Sequence, residues 1–140
     1  MADPIGPASQ LEGLAESALE SSGTLYEVVG KLESADPDLH ELLEEIGRLS
    51  KIVGAFGKHP NETTSVHLPE LEMPLAQCEK VCSGFRKEVL RYSSDPRVSR
   101  KTHRKRWADL DYIGHDIRDF TQLLAGYRLT FIAAFACTRL

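Results

Sequence analysis

Residues 36–57 read DPDLHELLEEIGRLSKIVGAFG, and this stretch decides the fold class. Its apolar residues recur at alternating spacings of three and four, which places them on one face of a helix. They are Leu39, Leu42, Ile46, Leu49, Val53 and Phe56. Asp36 is a good N-terminal cap, Pro37 suits the first helical position and Gly57 suits the C-terminal cap. The stretch therefore predicts an amphipathic helix with clear signals at both ends.

Three further segments carry the same helical period. The first opens with a capping-box pattern at Ser9 and Glu12 and continues to Leu32. Residues 21–23, Ser-Ser-Gly, interrupt its apolar stripe, so the sequence predicts that this helix bends or breaks there.

The other two segments lie in the C-terminal half. The third helix is predicted near Leu68, with its regular part beginning at Pro74, because proline is unfavourable inside a helix. The fourth is predicted from about Asp109, with Ile113 on its apolar seam and residues 129–137 as an apolar tail.

Four such helices joined by short loops indicate an all-α fold. We expect an antiparallel bundle of four long amphipathic helices in a single domain that spans residues 1–140. Within it, residues 1–8 form a loose lead-in, and residues 57–67 and 94–108 form polar or basic loops.

The charges are unevenly distributed along the chain. Residues 1–60 carry 4 Lys/Arg against 11 Asp/Glu, whereas residues 61–140 carry 13 against 10. The N-terminus lacks the basic and apolar regions of a signal peptide, and no apolar run approaches the ~18 residues of a membrane span. Three cysteines, an odd number, fit reduced thiols. These features predict a cytoplasmic protein that is at most peripheral to a membrane.

The polar residues give little indication of catalysis. Asp111, His115 and Asp119 are four apart and would share one face of a helix, where they could bind a metal, although a hydrated polar stripe is the favoured explanation. Cys78 and Cys82 fall on the apolar seam and are predicted to be buried and unreactive. The sequence therefore predicts no enzyme, no cofactor, no catalytic or metal residue and no small-molecule substrate. A metal-dependent enzyme built on the 111/115/119 stripe is the third alternative.

The strongest local charge feature is a basic segment. Its cations are Arg97, Arg100, Lys101, Arg104, Lys105 and Arg106. They can neutralise the acidic N-terminal half, or they can bind an anionic membrane surface or a partner. Nucleic acid is the least favoured partner, because Trp107 is the only aromatic residue in this segment that can stack on a base.

The tail of the fourth helix is apolar nearly all round. Phe131 continues the seam, whereas Leu129 and Ile132 project to other faces. A helix of this kind is covered on several sides. We expect it to pack against the first helix around residues 11–19 and to leave Leu129 and Ile132 as a candidate interface for self-association or for a protein partner.

Two stretches also resemble a known family. They are the opening MADPIG at residues 1–6 and the RKRW at residues 104–107, the latter followed by Ile117, Leu123-Leu124 and the YRLT at residues 127–130. The chain resembles the N-terminal domains of fungal STAND (NLR-like) proteins, a HeLo-like group that includes the N-terminal domain of azaphilone pigment cluster protein L.

The resemblance implies a non-catalytic helical effector or adaptor domain. Relatives of this kind act in non-self recognition, or heterokaryon incompatibility, and in cell death, by oligomerising and engaging membranes through the first helix. This chain departs from that pattern, because its first helix carries four acidic residues, Glu12, Glu16, Glu20 and Glu27. The alternative is a structural or dimerisation bundle without a signalling role.

Overall fold

The computed structural model describes the backbone of residues 7–32, 36–58, 68–94 and 110–138. These ranges contain four helices and no strand, which confirms the predicted all-α class. The helices are α1 (Pro7–Gly30), α2 (Pro37–Lys58), α3 (Leu68–Ser94) and α4 (Ile117–Thr138).

Helix α1 is continuous, so the predicted break at residues 21–23 is wrong. The serines there bond within the bundle and do not compete with the helix. The Ser22 hydroxyl is buried and donates to the Leu19 carbonyl at 3.1 Å, and Ser50 on α2 donates to the Ser22 hydroxyl at 2.8 Å. Because these polar groups are paired, the helix passes through the segment at little cost.

Helix α2 begins as the sequence predicts. The backbone N–H of Asp38 donates to the Asp36 carboxylate at 2.9 Å, which is the expected capping contact. The helix ends at Lys58, so Gly57 lies in its last turn and not beyond it.

Helix α3 begins at Leu68, six residues before the predicted start of its regular part, and Pro74 lies inside it. Proline removes one intrahelical hydrogen bond. Leu71 and Leu75 on either side of it are buried, and this packing keeps the segment helical.

Helix α4 begins at Ile117, so the predicted start at Asp109 is wrong. A tight turn precedes it, in which Tyr112 and His115 exchange backbone hydrogen bonds of 2.9 and 3.0 Å. The central residues, Ile113 and Gly114, both have positive φ, 52° and 78°, as a type I′ turn requires. Asp116 then caps α4 by accepting the Asp119 N–H at 2.8 Å. Ile113, predicted on the seam, is 75% exposed at the tip of this turn.

Successive helices alternate in direction, which confirms the antiparallel bundle. Contacts of Leu19 with Gly54 and of Tyr26 with Gly47 show that α1 and α2 are antiparallel. The Tyr127 hydroxyl lies 3.4 Å from Gln77 Oε1, and the Phe120 ring stacks on Phe85, so α3 and α4 are antiparallel as well.

Some of the helices that pack against each other are not consecutive in the sequence. The most extensive contact joins α1 to α3, and α4 packs mainly on α2 with a smaller contact to α3. The expectation that the α4 tail packs on α1 is therefore wrong. Two faces of α1 are occupied by α2 and α3, which leaves α4 on the far side of the bundle. Buried apolar side chains from all four helices form one core.

Candidate interaction surface

The only charged residue between positions 120 and 138 is Arg128, and it points inward. Its guanidinium contacts the Glu45 carboxylate of α2, with Nε 2.6 Å from Oε2 and Nη2 3.4 Å from Oε1. Glu45 is buried, and Arg48 of its own helix approaches the same carboxylate at 3.6 Å. A second pair, Arg118 with Asp38 at 3.9 Å, also joins α4 to α2.

Because Arg128 is turned inward, the outer face of α4 carries no exposed charge from residue 120 to residue 134, where side chains are described. We call this surface the α4 outer face. Its exposed residues are Gln122, Gly126, Leu129, Thr130, Ile132 and Ala133. Leu129 is 58% exposed and Ile132 is 39% exposed, whereas Phe131 between them is fully buried. The structure thus brings both predicted interface residues together, one helical turn apart, on a single exposed face.

The other three helices present charged outer faces. Their exposed charged residues include Glu16, Glu20 and Glu27 on α1, Glu41, Glu44 and Lys51 on α2, and Glu70, Lys80 and Lys87 on α3. Among the described helices, α4 therefore differs in leaving apolar side chains in water without charged neighbours. Exposed apolar surface of this kind is typical of a protein contact.

The polar stripe of Asp111, His115 and Asp119 is not formed. Asp111 and His115 lie in the turn before α4, and only Asp119 lies in the helix. Asp111 is used within the turn, where its carboxylate accepts the Gly114 N–H at 3.4 Å. Throughout the described ranges, no group of three or more His, Cys, Asp and Glu residues could hold a metal ion.

Cys78 and Cys82 are fully buried on α3, as predicted. The hydrogen bond with the Cys78 side chain, followed by burial, raises the pKa of the Cys82 thiol far above its ordinary value. Burial also raises the pKa of the neighbouring Tyr127 phenol, with a smaller contribution from the two thiols. Because thiolates are the reactive form, Cys82 is poorly suited to nucleophilic or redox chemistry.

We therefore expect neither thiol to react with a disulfide reagent in the folded protein. Cys137, whose side chain lies outside the described residues, is replaced by serine so that the signal reports on the pair alone. Labelling should occur only as fast as the protein unfolds, and denaturant should accelerate it. Rapid stoichiometric labelling under native conditions would show that the seam is open to solvent.

An aromatic cluster holds the turn before α4 against α3. The Phe85 and Phe120 rings stack with centroids 3.9 Å apart, and Tyr112 meets both edge-on at 5.9 and 6.0 Å. Tyr112 can approach because residue 84 is glycine, since a Cβ there would lie 2.1 Å from the phenol oxygen. Sequence periodicity missed this cluster, and Gly84 inside a helical pattern was the only signal of a close approach.

A polar groove of about 260 Å³ lies between α1 and α3. Its lining residues are Ser17, Glu20, Ser21, Thr24, Glu79, Ser83 and Arg86. Ser21 donates to the Glu79 carboxylate at 3.3 Å, so part of the lining is used in joining the two helices. Helical periodicity does not predict this groove, because its residues come from two helices far apart in sequence.

Two predictions concern membranes. The basic cations, Arg97, Arg100, Lys101, Arg104, Lys105 and Arg106, lie outside the described residues, so the anion surface stays a prediction. Among the described helices, none combines the length and the apolar character that crossing a bilayer requires.

Comparison with known proteins gives one match. The family model described as pigment biosynthesis cluster protein PigL N-terminal matches residues 2–140. Neither the curated proteins nor the solved structures include a match. The family agrees with the resemblance inferred from residues 1–6 and 104–130, and the match covers nearly the whole chain. The chain therefore belongs to the family of pigment biosynthesis cluster protein PigL N-terminal domains.

Proposed function

We propose that this domain is a non-catalytic helical adaptor that acts by binding other proteins or by oligomerising. Its role is signalling in non-self recognition or cell death, like that of the fungal NLR-like N-terminal domains it resembles, and it works in the cytoplasm at the surface of a membrane. The observation that carries the proposal is the α4 outer face, where Leu129 and Ile132 are exposed without charged neighbours.

The free-energy cost of leaving the α4 outer face exposed to water supports a binding role. Each Å² of apolar surface left in water forgoes about 25 cal/mol of stabilisation. A charged residue at either position would raise solubility without disturbing the core, because both side chains point away from it. The presence of leucine and isoleucine at these positions is therefore better explained by a contact than by folding.

The charge pattern bears on how the domain meets a membrane. Glu16, Glu20 and Glu27 are exposed along α1 and would oppose insertion of this helix beside anionic lipid. Contact with a membrane would instead use the basic segment, residues 97–106. In this proposal the domain lies on the bilayer surface and does not disrupt it.

The membrane part of the proposal predicts salt-dependent binding to anionic vesicles. Replacing Arg104, Lys105 and Arg106 together by serine should weaken sedimentation with phosphatidylserine vesicles by roughly a hundredfold, since each cation near the surface contributes about 1 kcal/mol. The dependence on salt should also become flatter. The matched control is Lys80→Ser with Lys87→Ser, which removes exposed cations from α3. Equal binding by the triple variant and the wild type would show that the segment only balances the acidic half.

The signalling part is tested in cells. Overproduction of the wild-type chain in a filamentous fungus should lower viability, and Leu129→Glu should restore it at an equal protein level. Met73→Glu is the matched control, because Met73 is 67% exposed on α3, outside the α4 outer face. No loss of viability with the wild type, or equal loss with Leu129→Glu, would contradict a signalling role for this face.

A further inference from the structure

We propose that the α4 outer face binds the same face of a second copy of this chain, so that two α4 helices pack antiparallel about a two-fold axis beside Leu129. The inference rests on the proposed function and names the partner of the surface described there.

The chemistry of the α4 outer face limits what can cover it. Covering charged groups with an apolar face is unfavourable, because the charges lose their contact with water and gain no partner. Each of α1, α2 and α3 presents exposed charges, so their outer faces are poor covers for α4. Among the described helices, a stretch of outer face without exposed charge is found on α4 itself, over residues 120–134, while the exposed Arg118 and Asp119 lie in its first turn. A second copy therefore supplies the surface that matches it.

Large and small residues alternate on the α4 outer face in a way that suits self-pairing. Leu129 is at the centre of the face, with Ile132 on one side and Gly126 on the other. In an antiparallel pair with the axis beside Leu129, the two Leu129 side chains meet. Each Ile132 then faces Ala125 of the second copy, and each Gly126 faces Ala133. Large side chains thus lie opposite small ones, which permits close packing.

Gly126 supports this geometry. It is exposed in the middle of α4, where glycine costs about 1 kcal/mol relative to alanine. A Cβ at this position would meet nothing within 4 Å in the single chain, so packing inside the bundle does not require glycine there. The missing side chain would allow a second helix to approach α4 closely at this position.

Electrostatics are compatible with the pairing. The chain carries a net charge of −4, so two copies repel each other overall. Contact through α4 brings no exposed charge of residues 120–134 into the interface, and Arg128 remains paired with Glu45 inside each copy. The acidic outer face of α1 belongs to a helix that packs on α2 and α3, away from this contact.

The size of the face sets the expected strength. A stable dimer buries about 800 Å² on each partner, and one face of a single helix over three turns offers less. We therefore expect reversible association with a dissociation constant on the order of 100 µM.

Sedimentation equilibrium of the full chain, over concentrations spanning roughly tenfold on either side of that value, tests the proposal. The wild type should rise from the monomer mass of 15.6 kDa towards twice that mass. Leu129→Glu should weaken association at least tenfold, and Met73→Glu should leave it unchanged. Thermal unfolding followed by circular dichroism identifies any variant that fails to fold, and Ile132→Glu provides a second change on the same face.

Two results would overturn the proposal. They are a wild type that remains monomeric and an equal loss of association with Met73→Glu. If the monomeric wild type also sediments with phosphatidylserine vesicles in a way that depends on Leu129, the face is assigned to lipid. If the wild type is monomeric and its effect on viability still depends on Leu129, the self-association fails while the signalling role stands with another protein as partner.

Discussion

Replacing Arg128 by alanine should destabilise the domain by about 3 kcal/mol, because it leaves the buried Glu45 carboxylate without its principal partner. The Glu45 side chain is only 5% exposed, whereas that of Arg128 is 22% exposed. Arg48 is 3.6 Å from the same carboxylate, but its own side chain is 57% exposed, so it compensates only in part. Urea unfolding monitored by circular dichroism measures the loss.

The reverse replacement provides the control. Glu45→Ala should cost less than Arg128→Ala, because an arginine that already reaches solvent can turn towards water more easily than a buried carboxylate can. Replacing both residues by methionine should recover most of the stability, since removing a buried ion pair as a unit costs little. A larger loss for Glu45→Ala than for Arg128→Ala would show that the guanidinium, and not the carboxylate, is the group that needs its partner.

Gly84→Ala is expected to cost about 2 kcal/mol by overpacking. The new Cβ would lie 2.1 Å from the Tyr112 hydroxyl and 2.7 Å from Cζ of its ring. Tyr112 must therefore swing away and lose its edge-on contacts with Phe85 and Phe120. Burial raises the pKa of the Tyr112 phenol, so displacing the ring should also return this pKa towards its ordinary value. Urea unfolding and a spectrophotometric phenol titration measure the two effects.

In the matched control, the effect of Gly84→Ala on stability should be in the opposite direction. In a Tyr112→Ala background the clash is absent, and Gly84→Ala should then stabilise α3 by up to about 1 kcal/mol, because alanine favours helix more than glycine does. If Gly84→Ala is equally harmful in both backgrounds, the damage comes from another neighbour and the tyrosine is not the reason for the glycine.

Local periodicity was sufficient to predict much of the fold. Helix α2 begins at its predicted cap, and the buried positions of Cys78 and Cys82 follow from a spacing of three and four residues. These features depend on residues close together in sequence. The contrast between buried Phe131 and exposed Leu129 follows from the same geometry.

Features that depend on distant residues could not be predicted in this way. Glu45 has the sequence context of one more residue on an acidic helix face, and its burial is explained mainly by Arg128, 83 positions later. Helix α4 begins later than predicted because the Gly114 turn and the Asp116 cap set its start, whereas the apolar pattern around Leu110 favours an earlier one. The prediction that α4 packs on α1 is also wrong. Amphipathic periodicity indicates which face of a helix is buried but not which helix covers that face.

If the α4 outer face is the surface through which this domain acts, its amide chemical shifts should depend on protein concentration. Amide shifts are suited to this question because each residue reports separately. We expect the shifts to change with concentration at Ala125, Gly126, Leu129, Ile132 and Ala133, and to stay constant along the exposed faces of α1 and α3. Changes confined to the polar groove between α1 and α3, with a constant α4, would contradict it.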